Sequence, residues 1–313
     1  MTVKRLVIDT DPGVDDALAI LLAVADADTR IEAVTIVAGN VGLERTVANA
    51  CTVLDALGVD PARTRVFRGC DRSLLGDRVE ATHAHGEDGL GNAHFPPSSR
   101  PVEAEHAAVA LVRLAAESPG ELTLVALGPL TNVAVALNLD PELPRKYRRL
   151  VAMGGAVRAT GNMPSPSTEF NVACDPEAAA VVLQRWPGMA LVPWETAMQC
   201  VIDGDRLREI WAAPGSRAEF VRTISERKPS RVLDDFGTGD MFAADPVAMA
   251  AALEPGIVTR SERRHVTVEL GGRHTRGQTT VDWFGFGGGA PTVDLILELD
   301  RDRFLTMLSA AVR

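Results

Sequence analysis

The chain has 313 residues, 46% hydrophobic and 24% charged, enough to bury a large core and within the range of one large α/β domain. Lysine and arginine number 32 against 42 aspartates and glutamates, and the formal charge of −10 argues against nucleic acid or an anionic membrane as the main partner. Cys51, Cys70, Cys174 and Cys200 are widely spaced with no CxxC pair, which argues against a disulfide framework or zinc site and for reduced, buried thiols.

Met1 to Arg5 leads straight into a strand pattern without a signal-peptide signature. No apolar run is long enough to span a bilayer, so a cytoplasmic protein is expected. Residues 3–8 read as a strand and 15–26 as a helix, with Leu18, Leu21, Leu22 and Ala25 on one side. A strand over 31–37 ends in Ala38-Gly39-Asn40, and a helix covers 44–57. A helix over 104–117 stops at Pro119-Gly120, a strand over 122–127 ends in Gly128-Pro129, and a short helix covers 131–138. A strand over 150–153 ends in Gly154-Gly155, and Pro176 suits the first turn of a helix over 175–185. The strand over 189–192 ends in Pro193-Trp194, and helices follow over 205–212, 216–227 and from Asp245-Pro246. Strands over 266–270, 279–282 and 293–299 and a helix over 301–312 close the chain. This alternation predicts one domain over 1–313 with an open, mostly parallel sheet and helices on both faces. The longest irregular stretches, 68–101 and 154–171, are rich in Gly, Pro, Ser, His and acids, and loops that long are usually functional.

Chemistry is concentrated after the first strand. Asp9, Asp11, Asp15 and Asp16 place four carboxylates within eight residues around Pro12-Gly13. In open α/β sheets ligands bind at the carboxyl ends of strands, and a hard, oxygen-preferring divalent cation would hold such a cluster together. Helix capping explains one or two of the four and leaves the rest unused. An EF-hand would need Glu at position twelve, which counted from Asp9 is Ile20. A haloacid dehalogenase-like phosphatase would need Thr or Val where Gly13 stands.

Asp-Thr-Asp-Pro-Gly-Val-Asp-Asp-Ala at 9–17 resembles the signature of the nucleoside hydrolases, inosine-uridine-preferring type and relatives. The likeness continues in order through Ala38-Gly39-Asn40, the His83-Ala84-His85-Gly86 loop and Leu127-Gly128-Pro129-Leu130-Thr131-Asn132. It extends through Met153-Gly154-Gly155, Gly161-Asn162, Glu169-Phe170-Asn171, Asp175-Pro176 and Ala244-Asp245-Pro246. The resemblance implies a Rossmann-like nucleoside hydrolase fold and calcium-dependent hydrolysis of ribonucleosides to free base and ribose. Asp11, Asp16, the Leu127 carbonyl and Asp245 would ligate one calcium ion (Ca2+), and Asp11 would take a proton from the calcium-bound water. Asp15, Asn40, Asn162, Glu169 and Asn171 would hold the ribose hydroxyls, Met153 and Phe170 would line the sugar pocket, and His85 would face the base. The partner would be a purine or pyrimidine nucleoside in salvage, with no nucleic acid or membrane, and the protein a homodimer or homotetramer.

The residue types suit that chemistry. Carboxylates and Asn amides bond vicinal hydroxyls, and they stabilise positive charge developing on a sugar ring. The family's leaving-group acid, a His directly before the late Asp, is here Ala244. Trp194 and Trp283 are therefore candidate stacking partners for the base, while His83 suits either the site or the surface. Asp9 is placed to orient Asp11 or a site loop, and Asp234, Asp235 and Asp240 read as a solvated loop or a lid. Two other functions fit the motifs: a ribose- or nucleoside-binding protein of the same fold with little catalysis, and an Asp-dependent phosphatase.

Overall fold

A computed structural model describes residues 3–76, 79–226 and 240–313. Asp234, Asp235 and the Gly-rich segment before Asp240 lie outside the described residues. Ten strands form one sheet in the order β4-β3-β2-β1-β5-β6-β7-β10-β8-β9. They are β1 Lys4–Thr10, β2 Thr29–Ile36, β3 Arg65–Arg68, β4 Val102–Glu103, β5 Leu122–Ala126, β6 Arg149–Met153, β7 Met189–Val192, β8 Val258–Val268, β9 Thr279–Asp282 and β10 Val293–Leu299. Every pairing from β4 to β10 is parallel, and only β8 and β9 run antiparallel to their neighbours.

The helices are α1 Val14–Ala25, α2 Leu43–Ala56, α3 Thr82–His85, α4 Ala107–Glu117, α5 Thr131–Leu139, α6 Leu143–Lys146, α7 Phe170–Cys174, α8 Pro176–Arg185, α9 Trp194–Ala197, α10 Gly204–Trp211, α11 Ser216–Glu226, α12 Ala244–Leu253 and α13 Arg301–Ala311. Successive side chains of a strand point to opposite faces, and β1 shows the result: Leu6 and Ile8 join the apolar layer with α1, α2, α12 and α13, whereas Val7 joins that with α4, α5 and α8. A sheet covered on both faces needs strands that are mostly apolar, as β7 is throughout and β5 and β6 are apart from Thr123 and Arg149.

Two strands carried no signal, and two expected elements needed correction. β3 and β4 were hidden in sequence, since Arg65, Arg68 and Glu103 break the apolar pattern of very short strands. The helix expected over 104–117 starts at Ala107, where the His106 ring caps the Ala108 N–H. The strand expected over 266–270 starts eight residues earlier, at Val258. Its charged first half is held by cross-strand ion pairs, Arg263 with Asp294 at 2.6 Å and Arg260 with Glu298 at 3.1 Å, in place of apolar burial.

The topology puts the ends of β1, β2, β5, β6 and β7 side by side. Asn132 at the start of α5 ties β1, the end of β2 and the turn after β3 to the connection that follows β5. Its Nδ2 donates to Asp9 Oδ1 at 2.9 Å and to the Ile36 carbonyl at 3.1 Å, and its Oδ1 accepts the Cys70 N–H at 2.9 Å. Replacing Asn132 with Ala would remove all three bonds and leave the buried Asp9 Oδ1 with the Thr35 hydroxyl alone. Asn132→Ala is expected to cost about 3 kcal/mol, read as a lower midpoint in urea unfolding.

Candidate active site

The turn from β1 into α1 builds one wall. Asp15 and Asp16 fall in the first turn of α1, where negative charge meets the positive end of the helix. The Thr10 hydroxyl donates to Asp16 Oδ1, and the Gly13 N–H donates to Asp16 Oδ2 at 2.8 Å. Asn40, just beyond β2, bridges the acids. Its backbone N–H donates to Asp11 Oδ2 at 2.7 Å, and its Nδ2 donates at 3.0 Å both to the Asp11 carbonyl and to Asp16 Oδ2. The Asp11 carboxylate also sits between two glycines: a Cβ at Gly39 would lie 2.0 Å from Oδ2, and one at Gly128 would lie 2.4 Å from Oδ1.

Asp245 comes from the first turn of α12, which packs on α1. Oxygens of Asp15, Asp16 and Asp245 lie within 4.8 Å of one another, and Asp15 Oδ1 is buried with no hydrogen-bond partner. The carboxylates that gather therefore include Asp15, which the resemblance assigned to the sugar. Asp11 borders the same cavity beside them. All-oxygen donors, buried and incompletely bonded, suit a hard divalent cation.

The loop after β6 builds the opposite wall. Glu169 caps α7: its Oε1 accepts the Asn171 N–H at 2.8 Å, and its Oε2 accepts the N–H of Gly155 at 2.8 Å and of Val172 at 3.2 Å. Asn162 Oδ1 accepts the Phe170 N–H at 2.9 Å. Asn171 Nδ2 donates to the Leu127 carbonyl at 2.6 Å, and that oxygen keeps a second lone pair.

Between the walls lies a cavity bordered by Asp11, Asp15, Asn40, His85, Leu127, Met153, Asn162, Glu169, Phe170, Asn171, Trp194 and Asp245. Asp16 stands fully buried behind it. Trp283 is not brought there. It follows β9 toward the edge of the sheet, and the Arg158 guanidinium lies 5.5 Å from its ring centre. Sequence reasoning missed Ala81, Ala84, Met163 and Phe242 among the lining residues. All four lie within two residues of predicted positions, and the fold sets the Phe242 ring 6.1 Å from that of Trp194. His83 and Ala244 also border the cavity. His85 Nδ1 accepts the Val14 N–H at 3.2 Å, which puts the proton of a neutral ring on Nε2. Asp240, singled out with the Gly-rich segment, instead accepts the Gly204 N–H at 3.1 Å.

Burial dominates the electrostatics. It pushes Asp9 up to about 7 against hydrogen bonds from Thr35 and Asn132. Burial and then the charge of Asp15 push Asp16 up to about 6. Burial, with neighbouring carboxylates, raises Asp11 and Asp245 well above the usual range. Burial also raises Glu169, against its three N–H partners.

Fold and site together are those of an N-ribosyl hydrolase. The family model described as "Inosine-uridine preferring nucleoside hydrolase" matches residues 6–306, and the chain belongs to that family. It is similar to the pyrimidine-specific ribonucleoside hydrolase RihA of Enterobacter sp. (strain 638), 34% identical over 97% of this chain and 96% of that one. It is similar to the inosine-uridine preferring nucleoside hydrolase of Leishmania major, 32% identical over 99% and 97% of the two chains. A solved inosine-guanosine nucleoside hydrolase superposes with a TM-score of 0.91 at 34% identity, covering 99% of each chain.

Carboxyls raised above their unfolded values bind extra protons in the folded state, so their contribution to stability is complete below about pH 4 and is lost as pH rises through 6, 7 and beyond. Chelator-treated protein is therefore expected to melt at a higher temperature near pH 6 than near pH 8, and a divalent cation added back should flatten that slope. Thermal melts with and without chelator check it.

Proposed function

We propose that this chain hydrolyses the N-glycosidic bond of ribonucleosides with one calcium ion, with Asp11 as the base that activates water. The observation that carries the reading is the cavity's composition. Carboxylates and carboxamides line it from both walls, and among the described residues no lysine or arginine borders it. Such a lining repels itself until positive charge arrives, both as a cation and as charge developing on a sugar.

Asp16, Asp245, Asp11 and the Leu127 carbonyl would hold the ion, with Asp15 close enough to share it or to turn to a ribose hydroxyl. When bound, calcium keeps these acids ionised and acidifies water beside it. Asp11 takes the proton from the attacking water. The Asn40 N–H on Oδ2 and the close approach of Gly39 and Gly128 keep its carboxylate aimed. Asn40, Asn162, Glu169 and Asn171 hold the sugar hydroxyls, and Met153 packs against the ring. As the bond to the base breaks, the ring becomes cationic, and the surrounding oxygens bind it more tightly than the neutral substrate.

At the base end, Ala244 supplies no acid. His85, through Nε2, and His83 can donate a proton there, and Trp194, Phe170 and Phe242 offer aromatic faces. The named relatives act on different bases at near-equal identity, so this end of the cavity sets the preference. We further read residues 1–313 as one catalytic domain that works as a homodimer or homotetramer on small-molecule substrates. No helix among the described residues is long and apolar enough to cross a membrane.

The test is release of reducing sugar from a panel of purine and pyrimidine nucleosides, with and without chelator. Turnover is expected to vanish in chelator and return with calcium. Asp11→Asn, near-isosteric, should keep the fold by circular dichroism and lose on the order of 100-fold or more in kcat. Full activity in stripped protein would sink the mechanism.

A further inference from the structure

The wall built by the loop after β6 depends on a residue outside the cavity. Residues 156–160 lead from the floor at Met153 to Asn162; Ala156 and Val157 are buried, Val157 in the apolar layer with α4, α5 and α8, whereas Arg158, Ala159 and Thr160 are exposed. Their N–H groups converge on one side chain of α9. Glu195 Oε2 accepts the Val157 N–H at 3.0 Å, and Oε1 accepts the N–H of Arg158 at 2.6 Å and of Thr160 at 3.4 Å. A carboxylate held in a nest of backbone N–H groups makes charge-assisted bonds, stronger than neutral ones. Two backbone bonds complete the joint: Gly154 N–H to Val192 at 3.1 Å, and Trp194 N–H to Gly155 at 2.9 Å. The element carrying Trp194 and the loop carrying Asn162 thus form one body, with Glu195 as the fastener.

We propose that Glu195 is a positioning residue that sets substrate affinity by fixing the sugar-binding loop relative to Trp194, without part in cation binding. The inference rests on the reading of the cavity as a ribose and base site. Among the described residues the hydrogen bonds of the Glu195 carboxylate run only to the 157–160 turn, whereas the acids around Asp16 are held by Thr10, Gly13 and Asn40 from other elements. Loosening this fastener should therefore spare the cation and the base Asp11 while weakening the hold on the sugar.

The experiment compares wild type, Glu195→Ala, Glu195→Gln and Asp11→Asn in three readouts: KM and kcat on inosine and uridine, the Kd of ribose by calorimetry, and the Kd of calcium. In Glu195→Ala, KM and the ribose Kd are expected to rise together, on the order of tenfold. Its kcat should fall less than about threefold and its calcium Kd should move less than about twofold. Glu195→Gln keeps one acceptor oxygen and should recover part of the loss; if the alanine variant fails to fold, it decides the matter alone. A KM and ribose Kd unchanged in both variants, or a calcium affinity that falls with them, overturns the proposal. Asp11→Asn should show the reverse, with kcat lost and ribose still bound. Wild type that neither releases base nor binds ribose would overturn the reading of the cavity itself, whereas active wild type with unaffected Glu195 variants overturns only the role of Glu195.

Discussion

Mutual repulsion among carboxylates taken out of water governs this molecule. Asp9, Asp11 and Asp16 at the end of one strand and Asp245 from α12 are buried almost completely, and burial is the largest of the causes that drive their proton affinities upward. Such a cluster is tolerable only where each acid finds donors. The fold supplies them from elements far apart in sequence: Asn40 after β2, Thr10 and Gly13 around the first turn, and Thr35 and Asn132 for Asp9. What this internal bonding leaves unmet, above all Asp15 Oδ1, is the part open to a cation.

The parallel sheet is what allows the bonding to be shared so widely. Because β1 sits between β2 and β5, the loops that follow them meet over one point, and β6 and β7 bring the loop of Asn162 and Glu169 and Trp194 alongside. Asp9 shows how far this interlocking goes. Its side chain binds Thr35 and Asn132 while its carbonyl accepts the Leu127 N–H at 2.7 Å, so an acid outside the cavity aligns the residue whose carbonyl faces it.

Much of this could be read from the chain directly. The acidic turn, the glycines at strand ends and the order of short motifs announced both the architecture and most of the residues around the cavity. What escaped had physical causes. β8 begins in a charged run because cross-strand ion pairs, absent from any local pattern, replace apolar burial there. Trp283 is as suitable by residue type as Trp194, but aromatic character says nothing about position, and Arg158 from the loop after β6 lies over its ring. Phe242 stands two residues before Ala244-Asp245-Pro246, yet its place beside Trp194 is set by tertiary packing that no local pattern shows. The grouping of Asp15 with Asp16 and Asp245 depends on how α12 meets α1, a relation between elements more than 200 residues apart.

The two glycines that flank Asp11 have a further consequence. The orientation of its carboxylate is enforced by missing side chains, since even a methyl group at either place would overlap its oxygens. Transplanting the acids alone into another α/β scaffold would therefore not reproduce their alignment. The graft would need the bare backbone on both sides as well, and an inventory of functional groups would overlook the two positions that matter most.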